Sequence, residues 1–312
     1  MKIAILIPAF NAEKTLLETL ISVKKNIDNN TNDDISVYLA DDCSTDGTVA
    51  LVENFIVQKK MPIIVLKGER NLGEWNNVNR CMEIITKKYD WFLIIHADDI
   101  AKADWLQTML TGIKNSTENC VSISSSYDVL FPNGKIEEGE NNLTNSIIEG
   151  NKSSIKDTLI KGTWWHVSGC AIKSSFIKEH GVFSGNMKQY CDMEFLIRIL
   201  FNKKSVLYIS KSLTTYRQIN TSVSSNSFKT NLDILEFSSL VAHFNSYFSK
   251  KEMSQHNQKF QGFLNKRIIK SIATLSFKRL ISALKLKVYV SKVLFKHQTN
   301  KFQFPFLEII TD

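Results

Sequence analysis

The sequence predicts an α/β fold whose first hundred residues form a doubly wound, mostly parallel sheet, followed by a second α/β half and a helical C-terminal region. Three observations predict it. Largely apolar stretches of four to six residues at 2–7, 35–40, 63–66 and 91–95 alternate with stretches of helical periodicity, the pattern of a parallel sheet. Two of these runs lead into paired aspartates, Asp41-Asp42 and Asp98-Asp99, and the carboxyl ends of such strands are where open parallel sheets bind ligands. The chain has 312 residues with a 43% apolar fraction, no glycine-serine or proline-rich linker and no internal repeat, so it can bury a sizeable core.

In chain order, residues 2–7 read as a buried strand that Pro8 ends, since proline breaks strand pairing. Pro8-Ala-Phe-Asn11 reads as a loop. Asn11 reads as the cap of a helix with Leu16, Leu20 and Val23 on one face. The strand at 35–40 ends in Asp41-Asp-Cys-Ser-Thr-Asp-Gly-Thr48. The next helix places Val49, Val52 and Ile56 together, and a third strand covers 63–66. Asn71-Leu-Gly73 turns into a helix that ends near Thr86. Trp91 to Ile95 is too short for a helix and apolar on both faces, so it reads as a buried strand. On an extended chain Asp98 and Asp99 would point to opposite sides, one toward a metal and the other toward an organic ligand. Residues 104–115 read as a helix and 121–131 as a strand or hairpin arm, with Pro132-Asn-Gly134 as its turn. The Asn-, Glu-, Gly- and Ser-rich stretch 133–155 reads as a mobile loop. Tyr190 to Arg198 opens a helix with Phe195, Ile199 and Leu200 toward the core. Residues 227–250 and 256–296 read as helices. In the latter, Phe260, Leu264, Ile268, Ile272 and Leu275 recur every three or four residues.

Composition excludes several classes. The five cysteines are odd in number and contain no Cys-x-x-Cys pair, which argues for a reducing compartment and against a disulfide framework or structural zinc. The N-terminal apolar run is too short for a signal peptide, and no stretch of about 18 apolar residues is present, so the expected location is cytoplasmic. Net charge is +8, yet Met253 to Leu307 holds eleven Lys or Arg and no Asp or Glu. The remainder, at 8 minus 11, is net acidic. The basic excess therefore describes a partner of the C-terminal segment only. Lys266, Arg267, Lys270, Lys278, Arg279, Lys285, Lys287 and Lys292 interleave with the apolar positions. A basic amphipathic helix over 256–296 fits an anionic membrane surface, on the cytoplasmic face of an inner membrane. No nucleic-acid motif accompanies the charge. The sequence sets no oligomeric state.

The strand ends carry the chemistry. No Gly-x-Gly-x-x-Gly follows the first strand and no Gly-x-x-x-x-Gly-Lys-Ser/Thr occurs, so neither a dinucleotide fingerprint nor a P-loop is present. An ionised Asp42 only accepts hydrogen bonds, which suits the imide N–H of uracil or thymine, or guanine. One or two carboxylates plus substrate phosphates are the usual setting for Mg²⁺ or Mn²⁺. Trp164 and Trp165 are adjacent. The apolar expectation puts one in the core, and the functional one packs an indole on a sugar ring with His166 at the pocket wall.

Pro8-Ala-Phe-Asn11, Asp41 to Thr48, Asn71-Leu-Gly73 with Asn79-Arg80, and His96-Ala-Asp-Asp99 resemble, in order and spacing, family-2 glycosyltransferases of the GT-A fold, over residues 1–225. The resemblance implies a catalytic domain at 1–225, with a nucleotide-binding half at 1–100 and an acceptor half at 101–225, and a basic helical region at 226–312. It implies that Pro8, Ala9, Phe10, Asn11 and Asp42 hold the nucleoside of a sugar nucleotide, with Glu13 nearby. It assigns Asp98 to ribose or sugar and Asp99 to Mn²⁺ or Mg²⁺. Asn79 matches the Asn of the family's Ala-Arg-Asn helix, while Val78 stands where many members have Arg. Tyr190-Cys-Asp-Met-Glu-Phe-Leu-Ile-Arg198 resembles the family's Glu-Asp-x-Asp-x-x-x-Arg pattern, which implies Asp192 as catalytic base, with Glu194 and Arg198 matching the later positions and Cys191 replacing an acid. An acid in a first helical turn also suits the helix dipole. Thr215 to Ser224 resembles the segment that closes the domain, with Ile219 where many members place a metal-ligating His. Asp99, the diphosphate and water would then hold the ion. The implied activity is inverting transfer from a nucleotide diphosphate sugar, foremost a UDP-sugar, to a glycan or lipid-linked glycan of capsule or O-antigen type. The rivals are a nucleotidyltransferase, whose glycine-rich basic loop is lacking, and a degenerate sugar-nucleotide-binding scaffold, for which Val78, Cys191 and Ile219 speak.

Overall fold

The computed structural model of the protein describes residues 1–30, 33–139, 143–219 and 230–295. They fall into two compact units, one built from 1–151, 163–185 and 195–219, the other from 152–162, 186–194 and 220–312. In chain order the elements are β1 (Lys2–Ala9), α1 (Leu16–Asp28), β2 (Asp34–Asp41), α2 (Thr48–Lys59), β3 (Ile63–Lys67), α3 (Glu74–Lys88), β4 (Trp91–Ile94), β5 (Ile100–Ala101), α4 (Trp105–Asn115), β6 (Cys120–Leu130), β7 (Ile136–Glu138), β8 (Ser146–Glu149), α5 (Lys152–Lys161), β9 (Ala171–Lys173), α6 (Ser174–His180), α7 (Cys191–Phe201), β10 (Ser205–Arg217), α8 (Leu232–His243), α9 (Lys250–Ala273) and α10 (Phe277–Val293).

The first unit is a mixed α/β fold. Its sheet runs β3-β2-β1-β4-β9-β6-β10-β5, with β7 added to β6 and β8 to β10. The β3-β2-β1-β4 portion is parallel throughout. β9 is the antiparallel divider between β4 and β6, and β10 returns parallel to β6. Alternation on β1 builds two layers. Ile3, Ile5 and Ile7 join Leu16, Leu20 and Val23 of α1 and Trp105, Leu106 and Met109 of α4 in one core. Ala4 and Leu6 are buried on the other face, where α3 packs on β1 and β2. Each fully buried branched side chain contributes about 1.5–3 kcal/mol relative to exposure. The parallel order sends β1, β2 and β4 to the same end, which gathers the candidate residues.

Several expectations need correction. Pro8 does not end β1, which continues to Ala9 with Pro8 opposite Ala40. The Leu6 carbonyl accepts from Ile95 N on the β4 side and the Ala9 carbonyl from Asp42 N on the β2 side. Alternation therefore turns the missing Pro8 N–H toward β4, beyond the point where that pairing stops at Ile94. Asn11 caps no helix. It sits at φ 49°, and α1 begins only at Leu16, after a turn in which Thr15 N and Leu16 N bond to the Ala12 carbonyl. Asp98 and Asp99 lie on a tight turn, closed by Asp99 N to the His96 carbonyl (3.1 Å), and not on an extended chain. The stretch 133–155 is not a loop: β7 and β8 hydrogen-bond into the sheet and α5 starts at Lys152, although 140–142 lie outside the described residues. Its polar residues fit because both strands sit on the margins of the sheet and present exposed faces.

In the second unit, one helix was expected over 256–296 and two are present. α9 stops at Ala273 and α10 starts at Phe277, with Leu275 between them in the left-handed region at φ 51°. Apolar spacing continues through this break, so periodicity could not reveal it. Residues 227–229 of the other expected helix, residue 296, and residues 220–224 of the closing segment lie outside the described residues. Arg267 is not a solvated charge: its guanidinium forms a two-pronged pair with Asp233 (2.7 and 2.6 Å). Ser249 and Glu252 form a capping box at the start of α9.

Candidate functional site

The site assembles at the carboxyl ends of β1, β2 and β4, all within the first unit. Two loops brace each other there. Asn11 N donates to Ser44 Oγ (2.9 Å), Asn11 Oδ1 accepts from Thr45 N (2.8 Å), and Ala12 N donates to Thr48 Oγ1 (2.8 Å). Glu13 accepts from Gly47 N (3.1 Å) and donates its own amide to Asp46 (3.1 Å). Phe10, between these anchors, leaves 48% of its surface exposed, while Pro8 and Ala9 are buried in the strand end. Asp41 accepts from Ser44 N and shapes the turn. Asp42 is buried, and each of its oxygens accepts a backbone amide, from Leu72 N and Gly73 N, both at 2.8 Å. In this structure Asp42 fixes the Asn71–Gly73 loop, in which Gly73 adopts φ 81°, a conformation an L side chain rarely takes. Arg80 braces the same strand ends, donating to the Asp41 and Leu66 carbonyls (2.7 Å each) and to Asn77 (2.9 Å).

The acidic turn follows β4. Thr15 Oγ1 donates to the Ala97 carbonyl (3.0 Å) and Thr19 Oγ1 to the Asp99 carbonyl (2.7 Å), so α1 holds the turn from below. Arg217, at the end of β10, holds it from the side. Its amide donates to Asp99 Oδ1 (2.9 Å) and its Nε to the Asp98 carbonyl (2.9 Å), and its guanidinium pairs with Glu18. Asp99 is fully buried, and its Oδ2 has no hydrogen-bond partner among the described residues. Burial, and then the charge of Asp98, push its carboxyl up to about 7. His96, the nearby Ser168 side chain and the Arg217 amide offset part of this. A buried carboxylate with an orphaned oxygen is expensive unless something positive faces it. His96, Asp98 and Asp99 each offer one ligand atom, all within 4.8 Å of one another, so the residues fit a divalent ion.

An aromatic wall adjoins the turn. His166 stacks on Tyr127 (centroids 4.4 Å) and meets Tyr216 edge-on (5.4 Å). Its Nδ1 lies 2.9 Å from the Ser168 carbonyl. A carbonyl only accepts, so Nδ1 carries the proton and Nε2 the lone pair. Burial pulls the His166 pKa down to about 4, with His96 adding to the fall and the Ser168 carbonyl opposing it, so the ring is neutral at neutral pH. Burial, then Asp99 and Asp98, push the Tyr216 hydroxyl up to about 12. Gly169 closes this wall at φ 91°, where an added Cβ would lie 2.5 Å from Thr214 Cγ2.

Other expected site residues have different surroundings. Trp165 is a core residue, 1% exposed, with its Nε1 donating to Ser122 Oγ (2.9 Å), so it lines no pocket. Trp164 is half-buried, edge-on to Tyr208. Both ends of the Asn79 carboxamide are engaged by the Phe183 backbone (2.8 and 3.1 Å). Arg198 Nη1 collects the carbonyls of His180, Gly181 and Val182 (2.9–3.2 Å), closing the end of α6. Asp192 and Glu194 belong to the second unit, in the first turn of α7. Asp192 Oδ1 accepts from Met193 N (2.7 Å) and Glu194 is buried. Sequence reasoning gave no role to His96, Glu74 or Arg217. A histidine two residues before the aspartate pair, and a glutamate immediately after Gly73, were the available signals.

The family model described as Glycosyl transferase family 2 matches residues 4–172. A putative teichuronic acid biosynthesis glycosyltransferase, TuaG of Bacillus subtilis, is 23% identical over 229 residues, 73% of this chain and 83% of that protein. An uncharacterized glycosyltransferase of Haemophilus influenzae is 29% identical over 114 residues, 36% of this chain, and the match spans only 33% of that protein. Among solved structures, S. aureus TarS 1–349 in complex with UDP-GlcNAc superposes with a TM-score of 0.64 at 17% identity, over 94% of this chain and 83% of that one. The fold is thus that of the GT-A glycosyltransferases.

Proposed function

The chain belongs to glycosyl transferase family 2, and from that premise we propose that it moves a sugar from a nucleotide diphosphate donor to an acceptor hydroxyl, with inversion at the anomeric carbon. The observation that carries this reading is Asp99, a buried carboxylate with one oxygen fixed by Arg217 and the other unmatched, beside Asp98 and His96. Asp99, with Asp98 and His96 beside it, would hold a divalent ion, which would supply positive charge against that growing on the departing diphosphate. The Phe10–Glu13 loop, braced against Ser44 to Thr48, presents an aromatic face for a base. Asp42 retains lone pairs for an imide N–H beyond the two amides it already accepts. In the reaction the anomeric C–O bond to phosphate breaks as the bond to the acceptor oxygen forms. Asp192 takes the acceptor proton. TarS binding UDP-GlcNAc supports a UDP-sugar, and the name of the TuaG relative, a teichuronic acid biosynthesis glycosyltransferase, supports polysaccharide synthesis; the acceptor in this reading is a lipid-linked glycan of capsule or O-antigen type.

Thermal shift tests the donor class. UDP with Mn²⁺ at about 100 times its dissociation constant is expected to raise the melting temperature by about 5 °C, since mass action adds about 2.7 kcal/mol. UDP alone, and GDP or CDP with Mn²⁺, are expected to shift it less. Folded protein that answers to no nucleotide would favour a degenerate scaffold.

The second unit supports a peripheral membrane contact. Among the described residues no helix is long and apolar enough to cross a bilayer. Yet Ile269, Leu275 and Phe277 are 68–78% exposed around the α9–α10 turn, with Ile272, Ile281 and Leu284 also exposed, and Lys266, Lys270, Lys278, Arg279 and Lys285 beside them. Each basic residue near an anionic surface adds about 1 kcal/mol. The protein is expected to sediment with phosphatidylglycerol vesicles and not with phosphatidylcholine vesicles. Leu275→Glu with Phe277→Glu should abolish this at unchanged helix content. Equal binding to both vesicle types would remove the electrostatic half of the reading.

A further inference from the structure

Glu74 has no part in the reading above, and His96 enters it only as a neighbour of Asp99, yet the two side chains meet at its centre. Glu74 is the first residue of α3, immediately after Gly73. The loop before it is fixed by Asp42, which accepts both the Leu72 and Gly73 amides. Glu74 therefore enters the site from a rigid support. Its Oε1 lies 3.4 Å from His96 Nε2, both side chains being largely covered at 31% and 20% exposure. The His96 amide donates to Ser168 Oγ (3.0 Å), so the backbone of the residue is also held. A ring nitrogen of His96 belongs to the same 4.8 Å group as an oxygen of Asp98 and an oxygen of Asp99. The second, independent mark of a cation there is the Asp99 Oδ2 atom, buried and without a hydrogen-bond partner among the described residues.

We propose that His96 supplies a nitrogen ligand to the divalent ion at Asp99, that Glu74 is the positioning residue for its ring, and that the mixed nitrogen–oxygen set makes the protein favour Mn²⁺ over Mg²⁺. The proposal rests on the reading of Asp99 as a metal residue. An imidazole has two nitrogens, and a carboxylate at one of them fixes the ring and raises the basicity of the other. Magnesium takes oxygen ligands almost exclusively, whereas imidazole suits the later divalent metals and displaces the balance toward them.

Electron paramagnetic resonance on the full chain with Mn²⁺ alone tests this without any turnover. The parent protein is expected to bind Mn²⁺ and to show ¹⁴N modulation in the pulsed spectrum, replaced by ¹⁵N modulation when histidine is labelled. His96→Gln is expected to lose the modulation. His96→Asp should bind both ions with a Mn²⁺-to-Mg²⁺ affinity ratio lower than the parent's. Glu74→Gln should keep the nitrogen signal and weaken Mn²⁺ binding by about 10–100-fold. A structural role for Glu74 alone would leave Mn²⁺ affinity unchanged once the protein is folded. Mn²⁺ bound at Asp99, shown by its loss in Asp99→Asn, with no nitrogen coupling in the parent protein would overturn this proposal and leave the metal reading standing. No Mn²⁺ binding to the parent protein would overturn both.

Discussion

Asp192→Asn is expected to bind donor as the parent does and to transfer sugar about 10²–10⁴-fold more slowly, the range that a positioned general base supplies. The substitution is isosteric. Asn keeps an oxygen for the Met193 amide, so the first turn of α7 should stay formed. What it loses is the ability to take the acceptor proton as the new glycosidic bond forms. Calorimetry with UDP and Mn²⁺ should therefore show unchanged binding, while product formation falls and the acidic limb of the pH–rate profile disappears. Transfer at the parent rate would rule Asp192 out as the base.

Asp99→Asn should act in opposite directions on function and on stability. Transfer is expected to fall by about a thousandfold or more, since the ion's contribution to the leaving diphosphate amounts to several kcal/mol. Mn²⁺-dependent donor binding should vanish with it. The metal-free fold, however, should gain. Burial raises the Asp99 carboxyl to about 7 in the folded chain, above its ordinary 3.8. Between those values the folded state holds a proton that the unfolded state releases. Metal-free stability therefore falls as pH rises through this window and stays lowered above it. Asn carries no such penalty. At pH 8 without metal the variant is expected to melt above the parent, and at pH 4 the difference should close. Adding Mn²⁺ at pH 8 should raise the parent alone. Equal metal-free melting temperatures at pH 8 would mean that the buried charge at Asp99 is already matched by the protein.

The central sheet was legible because buried parallel strands read as plain apolar runs, and Ile3 to Ile7 and Trp91 to Ile94 could be little else. The helices behind them carried their own periodicity. What was not legible depended on partners far along the chain. Pro8 looks like a terminator until the β4 pairing is seen to stop at Ile94. Trp165 and Trp164 are indistinguishable by sequence, and only the position of Ser122 decides which indole is buried. Asn79 and Arg198 match a familiar pattern, yet their hydrogen bonds go to the backbone at 180–183, a contact no local rule contains. Arg217 lies 118 residues from the carboxylate that its amide anchors. Strands β7 and β8 were hidden because edge strands need few apolar residues.

The route from β10 to Asp99 also says where this chain can be lengthened. Pairing of β10 with β6 shifts register at Ile209/Ser212 and again at Ser212/Thr214, and only after those shifts does Arg217 arrive beside the acidic turn. One residue inserted or removed between Ser210 and Leu213 would reverse the facing of every side chain up to Arg217 and release Asp99. The hairpin tip at Asn133–Gly134 is exposed, is closed by Phe131, Asn133 and Lys135, and lies beyond Leu130, the last β6 residue that pairs with Arg217. A fluorescent reporter or affinity tag therefore belongs in that hairpin, and length changes among homologues should collect there while the 205–217 segment keeps its residue count.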